Sequence, residues 1–240
     1  MEVLELWRYP IKSFGGEQLR SATIEADGLR GDHLWAVVDA TTGAVATAKK
    51  GAWSRLLECR ARLLDDTDPT DPAALEVTLP GDRVFHGDDP KLVPALSEFT
   101  GRELTLERRP RSYDLAPLHV LNTAGVDVLA TGEPTDVALR RFRPNIVVTG
   151  GTSFAENHWL GSILRIGGIT VRPTQRTGRC VMVTLTHQEV PAVRDMLRTV
   201  TKHNAVPVTD ADDRQAPCLG IYADVTTPGA VSVGDLVRLG

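Results

Sequence analysis

Glycine and proline punctuate this chain too often for long elements. There are 21 glycines and 15 prolines among 240 residues, spread along the whole length. Glycine weakens an element interior through backbone entropy, and proline removes an N–H donor. The segments between them are therefore short. Many alternate apolar and polar residues or are rich in β-branched side chains, as strands are. Strands are expected over 3–8, 19–24, 34–38, 45–48, 56–63, 75–79 and 83–85. Further strands are expected over 103–107, 118–121, 145–149, 163–166, 170–172, 219–225 and 231–239. Helical signals are fewer. Leu92–Thr100 ends at Gly101, and Val126–Ala130 follows a capping Asn122 or Thr123. Pro191 opens a helix running to about Lys202, with Val193, Leu197 and Val200 at helical spacing.

Many short strands with few helices predict a β-rich α+β protein built on a barrel or sandwich. No G-x-G-x-x-G follows a strand and no G-x-x-x-x-G-K-[ST] occurs, which disfavours dinucleotide and P-loop folds. Asp65–Asp71 reads as an exposed loop. Arg108–Pro117 is poor in apolar residues and holds two prolines, so it is the expected boundary between parts 1–110 and 111–240.

Net charge is −4, so nothing global draws nucleic acid or an anionic membrane. No apolar run of about 18 residues predicts a membrane helix. The acidic start, Met1 to Trp7, lacks a signal-peptide pattern, and a cytoplasmic location is expected. Cys59, Cys180 and Cys218 are far apart and odd in number. They offer no C-x-x-C pair for zinc or an iron–sulfur cluster, and no disulfide framework is expected.

Chemistry concentrates around Cys180. Pro173 to Arg179 has loop composition, and Cys180 to Leu185 has strand composition, placing the thiol at their junction. Arg179 precedes it and Arg176 lies four positions back. Nearby cations favour thiolate, the form that binds metal or attacks. A cysteine filling a strand position is the plain alternative. Arg140-Arg141-Phe142-Arg143-Pro144-Asn145 is a second basic feature. Its three arginines repel one another unless an anion is held, and guanidinium forks match phosphate oxygens. Tyr9-Pro10-Ile11-Lys12-Ser13 is a third loop with a cation and a hydroxyl. Each basic loop taken singly also fits a solvated surface turn.

Taken in order, these pieces resemble the MOSC family, in particular its two-part members with an N-terminal MOSC-N region. The matching pieces are the Tyr9–Ser13 loop, Gly28-Leu29-Arg30-Gly31-Asp32-His33-x-Trp35 and Arg141–Val148. They continue with Phe154-x-Glu156-x-x-Trp159-x-Gly161, Arg179–Met182, Gly220–Ala223 and Val233-Gly234-Asp235, so nearly the whole chain is covered. The resemblance implies a MOSC-type β-barrel after a smaller β-rich domain. It also implies a pyranopterin molybdenum cofactor with Cys180 as the protein ligand of the metal and the catalytic centre. Lys12, Ser13, Arg143 and Asn145 then match contacts to the cofactor, and Arg179 lies beside the ligand. A soft thiolate suits such a metal.

Several positions depart from the family pattern. His33 stands where an arginine contacts the cofactor in relatives, replacing a permanent charge by a titrating ring. Lys49 or Lys50 stands for a common arginine, Gly125 for a frequent serine, and Leu185-Thr186-His187 for a frequent Val-Asp-Pro. The remaining histidines, His119 among them, read as ordinary.

The implied function is an oxidoreductase removing oxygen from N-hydroxylated or N-oxide small molecules. Three cysteines are too few for a fused ferredoxin domain, so a separate electron donor, a ferredoxin or similar protein, is expected. The competing expectation is a sulfur carrier or cofactor-handling protein with a persulfide on Cys180. A binding protein without turnover is a third.

Overall fold

The structure is a computed structural model describing residues 1–64, 67–110, 113, 115–130 and 132–240. In chain order it begins with β1 (Glu2–Arg8), β2 (Glu17–Leu19), β3 (Ser21–Glu25), β4 (Gly28–Leu29) and β5 (Trp35–Asp39). A 3₁₀ segment, Gly51–Glu58, leads to β6 (Arg60–Leu63), β7 (Leu75–Leu79), β8 (Arg83–His86), α1 (Leu92–Thr100) and β9 (Leu104–Arg108). Then come β10 (Leu118–Asn122), α2 (Thr123–Leu129), α3 (Thr135–Arg140), β11 (Ile146–Thr149), β12 (Leu164–Ile166) and β13 (Ile169–Gly178). The chain closes with α4 (Met196–His203), β14 (Ala205–Pro207), β15 (Gln215–Thr227), β16 (Gly229–Ser232) and β17 (Val237–Leu239).

The largest sheet is a curled half-barrel in the order β17-β12-β13-β15-β10-β11-β1-β2, with β14 attached to β15. β1 and β2 are woven into it, while β3 and β4 form a separate three-stranded sheet with β16. β1 pairs antiparallel with β11, and β3 pairs with β16. The first residues therefore form part of the same sheet as the last hundred. β6, β7 and β8 make a separate three-stranded sheet, and β5 pairs with β9. The β-rich α+β expectation is met.

Three apolar clusters support this arrangement. Leu6, Leu118, Val120, Ile146, Val148, Leu164, Val171 and Ile221 fill the half-barrel. Trp35, Trp53, Leu56, Leu75, Leu96 and Phe99 fill the smaller β-rich part. Val126, Leu139, Phe142, Val183, Met196 and Val200 pack the short helices against the outer face of the barrel. Helix α1 buries Leu92, Ala95, Leu96 and Phe99, the 3–4 spacing of one helical face. Gly101 ends it at φ 69°, donating its N–H to Ser97. Asn122 caps α2 by accepting from the Ala124 N–H at 3.1 Å. Among the described residues no helix is long and apolar enough to cross a membrane.

The structure corrects several local expectations. Most of 173–179 is not a loop: residues 173–178 are the second half of β13, and only Arg179 lies beyond it. Residues 181–185 are not a strand: Val181–Thr184 forms a 3₁₀ turn. β13 accommodates Pro173 and Gly178 through register shifts against β15, which let a strand carry residues that a regular ladder rejects. The apolar run after Cys180 turns because Val183 is drawn into the helical cluster, and packing overrides its strand propensity. The same override makes Gly51–Glu58 a 3₁₀ segment, burying Trp53, Leu56 and Leu57.

Val45 makes only an isolated bridge to Val38. The last helix begins at Met196 rather than at Pro191, and α3 was not expected. A turn splits the final stretch into β16 and β17. Of the expected exposed loop, Asp65 and Asp66 lie outside the described residues, as do Arg111, Ser112 and Asp114 of the expected connection.

Candidate functional site

Cys180 follows the end of β13 and opens the 3₁₀ turn, with φ −129° and ψ −175°. It lines a cleft of about 140 Å³ together with His33, Lys49, Arg143, Asn145, Arg179, His119 and Tyr222. Cys59 and Cys218 are wholly buried, whereas Cys180 is partly open. Burial pushes the Cys59 thiol up to about 12 and raises that of Cys218. Cys180 is therefore the cysteine placed to meet a ligand. Met182 and Val183, after it, add apolar lining to the cleft.

The three clustered arginines fan apart, which relieves the repulsion that their spacing suggests. Arg140 lies over the Trp7 ring at 5.9 Å and 4.0 Å from Asp136. Arg141 is 1% exposed and clamps both Glu133 oxygens through Nη2 at 2.8 and 2.7 Å. Its Nη1 donates to the Val183 and Pro191 carbonyls at 3.3 and 3.4 Å, anchoring the turn after Cys180. Arg141 and Arg143 both line the cleft, but Arg141 is spent on Glu133, so Arg143 is the functional candidate. It lies 4.3 Å over the Tyr9 ring and donates Nη1 to the Phe14 carbonyl at 2.6 Å.

Backbone strain gathers here. Ser13, His33 and Arg143 all have positive φ, at 67°, 48° and 54°. Residues with side chains seldom adopt that region, and surrounding structure must hold them there. The residue types announce little of this: none of the three is glycine, asparagine or aspartate, and only His33 is of a type enriched there.

The other expected site residues fall into place unevenly. Ser13 is buried, and its Oγ accepts from the Ala48 N–H at 3.1 Å. Lys12 donates its backbone N–H to Trp35. Neither lines the cleft, but Phe14, the next residue, carries the carbonyl that Arg143 grips. His33 Nδ1 lies 2.5 Å from Asp32 Oδ2, and Asp32 also accepts from the Tyr9 N–H at 2.6 Å. Any charge on that ring is thus shared with a carboxylate.

Asn145 uses its side chain to join strands. Its Oδ1 accepts from the His119 N–H at 3.0 Å and its Nδ2 donates to the Trp7 carbonyl at 3.4 Å. Arg179 is committed to protein acceptors. Nε reaches the Leu219 carbonyl and Nη1 the Phe142 carbonyl, both at 3.0 Å, while Nη2 reaches Leu219 and His119. Burial lowers its pKa below the ordinary arginine value, yet it stays charged at neutral pH. Gly125 has a packing reason: a Cβ there would lie 3.0 Å from Leu219 and 3.1 Å from Phe154.

Sequence reading missed two buried ionisable groups behind the cleft. Glu156 is fully buried, its Oε1 accepts from the Gly220 N–H at 3.3 Å, and Oε2 has no partner. Burial raises it to about 7, against the pull of backbone hydrogen bonds and Arg179. His187 places Nε2 2.8 Å from the Met182 carbonyl, and burial lowers it to about 4. The arginine–histidine contact at His119 was equally invisible, because its partners are 24 and 60 residues away.

Among the described residues no group of three or more His, Cys, Asp or Glu side chains gathers to hold a metal. A metal at Cys180 therefore needs its other ligands from a bound organic group. The donor set fits such a group: one accessible thiol, with Arg143, Lys49 and His33 around it for an anionic portion. A cofactor-sized molecule needs more room than 140 Å³. It would extend past Asp32 and Tyr113, which also line a second cleft of about 420 Å³.

The curled sheet and the cysteine arm define a member of a known class. Residues 82–238 match the MOSC domain and residues 1–88 match the MOSC N-terminal beta barrel domain; the chain belongs to the MOSC family. It is 28% identical to mitochondrial amidoxime reducing component 2 of Bos taurus, over 98% of this chain and 82% of that protein. It is 25% identical to mitochondrial amidoxime-reducing component 1 of Homo sapiens, over 99% of this chain and 82% of that one. Among solved structures, the YuaD protein of Bacillus subtilis is similar with a TM-score of 0.52 at 15% identity, covering 99% of this chain and 94% of the other.

Proposed function

We propose that this protein is a molybdenum-cofactor-dependent oxidoreductase that removes oxygen from N-hydroxylated or N-oxide small molecules. The observation that carries the reading is Cys180: one accessible thiol among three, at a basic cleft built from both ends of the chain. The names of the curated relatives supply the substrate class, amidoximes being N-hydroxylated compounds. The bound cofactor would supply the two-electron chemistry at its metal. In this reading parts 1–110 and 111–240 share the site.

The chain's own residues bind and orient. Cys180 supplies the protein ligand. Arg143 faces the cofactor's anionic portion, with Lys12, Ser13 and His33 on the N-terminal side. Asn145 and Arg179 act from beneath, holding β10, β11 and the cysteine arm in register. The buried floor, including Phe142 and Val183, limits water around the thiol. Electrons come from a separate redox protein, a ferredoxin or similar carrier.

Molybdenum content decides the matter. The chain is expressed in a host able to make the cofactor, purified, and its metal measured beside Cys180→Ala. Wild type is expected to hold molybdenum and reduce a model amidoxime with an artificial electron donor. Cys180→Ala is expected to lose both while its circular dichroism stays unchanged. Equal metal-dependent turnover in the variant would sink the assignment. Metal-free protein with cyanide-labile sulfur on Cys180 would favour the sulfur-carrier reading instead.

A further inference from the structure

We propose that His119 is a positioning residue whose two ring nitrogens tie the Arg143 turn to the Cys180 arm. It stands on β10, 5% exposed, at the cleft wall. Nδ1 lies 3.1 Å from the Arg143 carbonyl oxygen, which can only accept, so Nδ1 carries the proton. Nε2 lies 2.6 Å from Arg179 Nη2, which can only donate, so Nε2 is bare. The two partners select one tautomer of a neutral ring. Burial and the facing guanidinium lower its pKa well below the ordinary histidine value, in agreement.

The tie is specific in what it joins. Arg179 itself takes the Phe142 carbonyl at 3.0 Å, and His119 takes the next one, Arg143. Two consecutive carbonyls of that turn are thus fastened to the cysteine arm, one directly and one through the imidazole. The turn needs holding, because Arg143 sits at φ 54°. The other end is Arg179, the residue before Cys180.

The ring is also seated. Tyr222, its partner across β10 and β15, lies 5.6 Å away at 54°. Gly220 occupies φ +77°, and a Cβ there would come 2.5 Å from His119 Nε2. The strand leaves space for an imidazole at this point, which goes beyond ordinary filling of a core position.

The importance of the tie rests on the reading of Cys180 and Arg143 as the functional pair, but its test does not require molybdenum. Cofactor-free protein is treated with iodoacetamide, and alkylation of each cysteine is followed by peptide mass spectrometry. His119→Phe keeps a ring against Tyr222 and loses both hydrogen bonds. Its Cys180 is expected to react about three- to tenfold faster, the factor equivalent to the one of the two bonds that reaches the cysteine arm, at Arg179. Cys59 and Cys218 should stay unreactive.

Two further variants separate positioning from packing. His119→Gln can place an amide oxygen near Nε2 and accept from Arg179. His119→Asn can place an N–H near Nδ1 and lacks that acceptor. Gln is expected to return Cys180 close to the wild-type rate, and Asn is not. Equal Cys180 rates in wild type and His119→Phe would overturn the proposal. If His119→Phe unfolds and exposes all three thiols, the amide pair decides: a Gln rate no nearer to wild type than Asn also overturns it. Wild-type protein without molybdenum would remove the proposed function and leave this tie standing.

Discussion

Arg143 Nη1 lies 2.6 Å from the carbonyl oxygen of Phe14, so a side chain entering β11 grips the loop that follows β1. The same guanidinium lies over Tyr9 at 4.3 Å. The carbonyl and the aromatic face fix where this guanidinium stands at the cleft, and its fork matches the oxygens of an anion. At His33, Asp32 lies against the ring.

Arg143→Ala should therefore weaken cofactor retention by about 1.5–3 kcal/mol, the usual worth of a hydrogen bond to a charged group. Arg194→Ala, on an exposed stretch, should leave retention unchanged. Molybdenum remaining after gel filtration measures both. Equal retention in Arg143→Ala and wild type would remove this contact. His33→Ala should cost less than Arg143→Ala, because the ring already faces a carboxylate.

The sequence made the sheet legible where alternation and turn residues agreed, as at Leu75–Leu79, Arg83–His86 and α1 with its Gly101 stop. It misled around Cys180, where strand and turn exchange places, because β13 bulges past Pro173 and Val183 answers to a distant helical cluster. Cys180, Arg143 and His33, which line one cleft, stood out by residue type and motif. The burial of Arg141, the strain at Ser13 and the buried contacts of His119 and Glu156 did not. Each depends on partners far along the chain, and periodicity carries no information about those.

Arg141 and Glu133 offer a test of how the turn after Cys180 is supported. The pair is largely buried, with Arg141 also holding the Val183 carbonyl. Removing only the carboxylate leaves a desolvated guanidinium, so Glu133→Ala should destabilise by about 3–5 kcal/mol. Arg141→Met keeps volume and removes the charge, and should cost clearly less. Urea denaturation of the two variants gives the order. An Arg141→Met loss as large as that of Glu133→Ala would show that the lost hydrogen bonds and the unpaired Glu133 carboxylate outweigh the desolvation of the guanidinium.

Glu156 and His187 should oppose each other in the dependence of stability on pH. Burial raises Glu156 from an ordinary 4.5 to about 7. Its contribution is complete below about 4.5 and is lost as pH rises through 7. Burial lowers His187 from 6.5 to about 4. Its contribution is complete above about 6.5 and is lost as pH falls through 4. Between pH 4.5 and 6.5 the two slopes have opposite signs, each at most about 1.4 kcal/mol per pH unit. Wild-type stability should vary little there on their account. Glu156→Gln removes the falling slope, so its stability should rise with pH across the window. His187→Gln keeps a donor for the Met182 carbonyl and removes the rising slope, so its stability should fall with pH. Urea midpoints at pH 4.5, 5.5 and 6.5 would show the divergence. Parallel curves for the two variants would mean that neither group titrates as its burial requires.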